Sequence, residues 1–292
     1  FLPALKNMSS PVDFSLSFKG QGNDLECSEI VLDDKNQIKL NAKTVFTDLN
    51  AGKNMFVDGQ VSDLNVSSRG IETWMGNLIG KVPPILNRME FLHFKGGIKG
   101  QLRQLKINGS LLSAVGMVKA DLLMNTDETN YQSYSGGVSC PAMNLGKLLG
   151  DEKKFGLTDF NVELKGFNYI GNYPESYIKG VISSLEYSGY RYENILLDGI
   201  YKDGGFNGKL DLNDDNAQIH IDGSFNMVQK VPAYNLMAEV RNFRPNKLNM
   251  TDKYIDSSIS LKLNADFTGN SLDNMNGKIS LDSLLLEAPE GN

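Results

Sequence analysis

Few residues in this chain are of a type and spacing that could do chemistry. The 292 residues include two histidines, His93 and His220, and two cysteines, Cys27 and Cys140. His220 alternates onto the polar side of a strand-like run, and His93 sits between Leu92 and Phe94. Neither has a recognisable partner for a triad, and the nucleophile-elbow and zincin motifs are absent. Asp211, Asn213 and Asp215 have the alternate spacing that opens a calcium loop, but the glycine and distal glutamate of that loop are missing. These three are read instead as part of a hairpin. The cysteines lack metal-ligand spacing; they either pair in an oxidising compartment or stay as two buried thiols. The expectation is a protein with no catalytic centre, metal or cofactor.

Composition narrows the partners. Net charge is −6, which disfavours nucleic acid because phosphate binding needs a basic surface. Glycine is abundant, at 29 residues, and proline sparse, at 9, which suits many bends in β-structure. No apolar run approaches the ~18 residues of a spanning helix. The chain opens on Phe1 and closes on Gly291-Asn292, so it is expected to be a fragment of something longer.

The elements that must position any site are strands. Phe206, Gly208, Leu210 and Leu212 alternate with Asn207, Lys209, Asp211 and Asn213. After Asp214-Asp215-Asn216, Ala217, Ile219, Ile221, Gly223 and Phe225 alternate with Gln218, His220, Asp222 and Ser224. Period two with a short polar break predicts a hairpin with one apolar and one wet face. The same alternation runs through Val12–Lys19, Ile38–Lys43, Phe160–Lys165, Tyr234–Arg241 and Ile259–Phe267. An apolar-polar-glycine triplet recurs, as in Phe18-Lys19-Gly20, Val57-Asp58-Gly59, Phe94-Lys95-Gly96, Ile107-Asn108-Gly109, Leu197-Asp198-Gly199, Phe206-Asn207-Gly208 and Ile221-Asp222-Gly223. Its glycine shares a face with the apolar residue and permits a bend or a close backbone approach there.

One region departs from period two. Ile71, Trp74, Met75, Leu78 and Ile79 form a helical stripe, with Ser67 or Ser68 as its cap. Pro83-Pro84 ends it, and Ile85, Leu86 and Met89 suggest a second short helix. This insertion either touches a membrane or packs over the open end of the sheet. Another turn is expected around Leu145, Leu148 and Leu149. The expected organisation is a β segment over 1-66, a helical insertion over 67-91, and a curled β-sheet segment over 92-292. No strand is expected to be apolar on both faces, so no second covering layer is expected. The fold class is mainly β, an elongated curled antiparallel sheet with one or two short helices.

The run Phe94-Lys95-Gly96-Gly97-Ile98-Lys99-Gly100, then Leu105 to Ser113, Val115-Gly116 and Val118 to Leu122, resembles the TamB/AsmA-like family, in its Bacteroidetes-type form. So do Tyr187 to Tyr190, Tyr192 to Ile195, Leu197-Asp198-Gly199, Pro232-Ala233-Tyr234 and Lys247-Leu248-Asn249. The resemblance covers most of residues 55 to 285, and its specificity lies in the order of degenerate glycine patterns. It implies a β-taco groove like that of bridge-like lipid transfer proteins. It implies a periplasmic segment of a protein held in the inner membrane by a helix elsewhere. Phospholipid movement toward the outer membrane is the implied function. Assembly of outer-membrane proteins with a TamA/BamA-like partner is the alternative, and a structural or adhesive β module a third. On the lipid reading, acyl chains would lie along Phe206, Leu210, Leu212, Ile219, Ile221, Phe225, Leu236, Val240, Leu261 and Leu263.

Overall fold

The computed structural model describes residues 11–35, 37–75, 82, 84–128, 131–167, 175–226, 231–269 and 273–288. The chain divides into two compact units, residues 1–152 and 153–292. The first carries β1 (Asp13–Gln21), β2 (Asp24–Asp33), β3 (Ile38–Thr47), β4 (Phe56–Val66), β5 (Leu92–Gln101), β6 (Gln104–Ser113), β7 (Gly116–Thr126) and β8 (Gln132–Asn144). The second carries β9 (Phe155–Phe167), β10 (Glu175–Tyr187), β11 (Tyr190–Lys202), β12 (Gly205–Asp214), β13 (Ala217–Asn226), β14 (Ala233–Phe243), β15 (Ser258–Thr268) and β16 (Asn276–Glu287). The fold is mainly β. Within each unit every strand pairs antiparallel with its sequence neighbours, and among the described residues no ladder joins β1 to β8 or β9 to β16, so each sheet is open.

Tight turns explain this meander. Asp214 pairs with Ala217, so the β12–β13 hairpin closes through Asp215 and Asn216 alone. Ser188-Gly189 and Asp203-Gly204 have positive φ at both residues, 51° and 78°, then 51° and 76°. That conformation matches the right-handed twist of the strands it joins.

Register turns the alternation into continuous rows. Residues directly opposite in an antiparallel pair point to the same face. In the second unit Phe160, Ile182, Ile195, Leu212, Ile219, Val240, Leu261 and Leu284 form one row across all eight strands. Two residues along run Val162, Gly180, Leu197, Leu210, Ile221, Ala238, Leu263 and Leu281. In the first unit Leu16, Ile30, Ala42, Val61, Gly96, Gly109, Ala120 and Val138 form an equivalent row.

The glycine triplets acquire their meaning in these rows. Gly96 lies directly opposite Gly109, and a Cβ on Gly109 would come within 2.7 Å of Phe94 Cε2. Gly199 lies directly opposite Gly208, and a Cβ on Gly199 would overlap Phe206 Cζ. In both units, therefore, the phenylalanine of a Phe-polar-Gly triplet lays its ring over a cross-strand glycine. The ring covers backbone that glycine leaves bare, and the pair locks the register.

The helical insertion lies inside the first unit. Ser67 Oγ accepts the N–H of Gly70, capping the helix Ser68–Gly70, which continues as Ile71–Met75. A second short helix spans Pro84–Arg88, and Leu145–Leu149 forms another. Leu78, Ile79 and Pro83 lie outside the described residues.

Candidate functional site

The apolar face of each sheet is the candidate site. The structure places all ten sequence-derived lining residues on one face of the second unit, in four adjacent rows. Leu212, Ile219, Val240 and Leu261 share one row, and Leu210, Ile221 and Leu263 the next. Leu236 stands in the third, beside Gly208, Gly223 and Ala265. Phe206 and Phe225 share the fourth with Tyr234 and Phe267. Phe206 and Leu212 are buried, and the other eight are half-buried. Among the described residues no second sheet lies over this face.

The two ends of the face differ. At one end, the connection between β14 and β15 folds over the Leu212 row. Leu248 is fully buried there against Ile195, Leu212 and Ala217. This connection is tied to two hairpin turns. Asn249 Nδ2 donates to Gly189 O at 2.8 Å, and the N–H of Arg244 donates to Asn216 O at 3.0 Å. Beside it the Asp214 carboxylate, 6% exposed, accepts from Tyr190 Oη at 2.5 Å, Asn216 N at 2.9 Å and Glu193 N at 3.1 Å. Burial pushes the Tyr190 phenol above its ordinary pKa; the bond to Asp214 raises it further, while the Asn216 amide opposes the shift. At the other end, Phe206 and Phe225 have ring centroids 5.6 Å apart, and Tyr234 stacks on Phe267 at 4.7 Å. These four residues also border a cavity of about 460 Å³ whose other lining residues, among them Ile200, Lys202, Asn207 and Asp266, stand in register on the opposite, polar face.

The first unit closes one end of its own face with the helical insertion. Ile71 is fully buried, and Trp74 Nε1 donates to the buried Asp34 carboxylate at 2.9 Å. Of the two sequence readings of this insertion, packing over the sheet end is what Ile71 and Trp74 do. A Cβ on Gly70 would overlap Gln37 O, so only glycine lets the helix approach the β2–β3 turn this closely. Arg88 donates to Leu148 O at 3.0 Å and Lys147 pairs with Glu90 at 2.8 Å, joining the two short helices.

The opposite face of the second unit is a lattice of charges in register. Lys179 pairs with Asp198 at 3.0 Å, and Lys209 approaches Asp222 at 3.7 Å. Asp198 also accepts from Tyr177 Oη at 2.6 Å; that bond and Lys179 hold its pKa below the usual carboxylate value. These groups are exposed, and solvent screens such pairs so that each contributes little to stability. His220 Nδ1 lies 2.5 Å from Asp211 Oδ1, and His93 Nε2 lies 2.7 Å from Asp63 Oδ1. Asp211 is thus engaged by a histidine one strand away, and Asn213 and Asp215 finish the hairpin. Both cysteines are buried.

Two features escaped the sequence reading. The polar face is not wholly polar: Val181 lies directly opposite Leu196 and Tyr177 opposite Ile200, all four facing solvent. The expectation that no strand is apolar on both faces therefore fails at β10 and β11. The second is Leu248, the residue that closes the apolar face. It sits in a polar stretch with no periodicity, and its only local signal is being the sole large apolar residue between Pro245 and Met250.

Comparison with protein-family models, with curated proteins and with solved structures finds no match to this chain.

Proposed function

We propose that this chain is a segment of an envelope-spanning periplasmic protein that conducts phospholipids between two membranes along a curled apolar β groove. The observation that carries this reading is the unbroken set of apolar rows. Every strand of a unit contributes to one apolar face, and most of that face in the second unit stays half-exposed. A filled sandwich would bury such residues under a second sheet. The reading needs no reacting group. Each CH₂ taken from water contributes ~0.8 kcal/mol, so an acyl chain is held without specific contacts while its head group stays wet.

A second reading has its own support. β16 exposes Leu284, Leu285 and Leu286 at 52%, 56% and 65%, and β1 exposes Phe14 and Phe18 at 62% and 64%. Apolar strands of this kind are templates for β-augmentation, as in a scaffold that assists outer-membrane protein assembly with a TamA/BamA-like partner.

The two are separated by placing arginine at Ile221 and Leu236 together. Lipid extracted from the purified variant and measured by mass spectrometry should fall sharply, with the circular dichroism of the sheet unchanged. Lipid retained at the parent level would overturn the conduit reading. Crosslinks from β16 to client strands with no lipid present would favour the scaffold.

A further inference from the structure

β16 is an edge strand with the side chains of an interior one. Among the described residues it pairs with β15 alone, so its outer edge presents a row of free backbone N–H and C=O groups. Every one of its twelve residues except Ser280 is exposed. Edge strands are usually guarded by short length, proline or inward-pointing charge. β16 instead carries Ile279, Leu281, Leu284 and Leu286 on the apolar face and Leu285 on the other.

The order of these residues selects what fits the edge. Leu263 lies opposite Leu281 and Lys262 opposite Ser283, so Asp282 is an extra residue, a bulge near the middle of the strand. The bulge reverses the alternation. Before it the odd-numbered residues lie on the apolar face, and after it the even-numbered ones do. Such a strand can meet a two-fold copy of itself with like faces together. About an axis between Asp282 and Ser283, Leu281 comes opposite Leu284 of the second copy, and Ile279 opposite Leu286. On the other face Ser280 comes opposite Leu285, and Lys278 opposite Glu287, which accepts from Ser258 Oγ at 2.7 Å. Apolar meets apolar and opposite charges meet, each contact made twice. The other outer strand, β1, fits worse. The two antiparallel registers that pair all nine of its residues, with Phe14 on the apolar face, set Glu287 against Asp13 or Lys278 against Lys19.

We propose that β16 is a dimerisation edge whose partner is β16 of a second copy of this chain, antiparallel about a two-fold axis between Asp282 and Ser283. Such a contact is self-complementary and closes at two copies. It satisfies the free backbone groups of both edges and joins two apolar faces into one. The inference does not depend on what lies on the apolar face.

Sedimentation velocity of the unaltered 292-residue chain, from micromolar to sub-millimolar concentration, should show a monomer–dimer equilibrium that stops at twice the 32.2 kDa of one copy. Lys278→Glu and Glu287→Lys should each raise the dimer Kd about tenfold, because each turns two cross-strand attractions into repulsions. The double variant, with the charges exchanged, should return to the parent Kd. Both residues are exposed, and circular dichroism checks that every variant keeps its sheet. A monomer at every concentration overturns the proposal. A series of species beyond the dimer overturns it in favour of β1 as the partner strand. A dimer that ignores the single substitutions, or that the double variant does not restore, overturns the register and this edge with it.

Discussion

Replacing Leu248 by alanine gives the most direct measure of how firmly one end of the apolar face is closed. Leu248 is fully buried, in contact with Ile195, Leu212 and Ala217, and Leu210, Ile219 and Phe243 pack around them. Truncation removes three carbons, worth ~2.4 kcal/mol of transfer free energy at ~0.8 kcal/mol each. The cavity left behind adds to this, because Asn249 and Arg244 stay pinned to Gly189 and Asn216 and hinder collapse. The expected loss is about 3 kcal/mol, a fall of roughly 10 °C in Tm for a cooperative unit of this size. Met250, two residues on and 54% exposed, is the control, and Met250→Ala should stay within about 0.5 kcal/mol of the parent. Urea melts give the free energies. Amide exchange locates them: protection should fall first in the β14–β15 connection and in the turns at Gly189 and Asn216. If Leu248→Ala and Met250→Ala cost the same, the end is not sealed as described.

Gly223 has φ of 146° and a Cβ there would overlap Asn235 O, so Gly223→Ala should cost about 1–3 kcal/mol. A Cβ on Gly137 meets nothing within 4 Å, so Gly137→Ala should be neutral or slightly stabilising; equal urea midpoints for the two would refute the close-approach account. The Tyr190 phenol, whose pKa burial and Asp214 raise above 10.0, supplies a pH dependence. Its stabilising contribution is fully present below pH ~10 and is lost as pH rises from there through the raised folded value, because the unfolded chain releases the proton first. Tyr190→Phe should therefore flatten the fall of the urea midpoint as pH rises above about 10, and an unchanged slope would show that Tyr190 does not carry it.

Much of the site was legible before any coordinates. Side chains alternate along an extended chain by local geometry alone, so the shared face of Phe206, Leu210 and Leu212, or of Ile219, Ile221 and Phe225, needs no partner strand to be read. The β12–β13 hairpin and the helix after Ser67 are equally local, one set by two turn residues and one by a cap. The triplets were legible as glycine positions but not as contacts. That Phe94 covers Gly109 and Phe206 covers Gly199 depends on register, which is a relation between strands.

The β class, the strand faces and the lack of recognisable catalytic motifs follow from residue type and near-neighbour spacing. Tertiary structure alone decided that ten residues from β12 to β15 stand in four adjacent rows. It alone decided that Leu248 closes one end of those rows, and that Asp34 meets Trp74 across 40 positions of chain. These contacts join residues far apart in sequence and depend on how separate strands align, which periodicity within any one strand cannot encode.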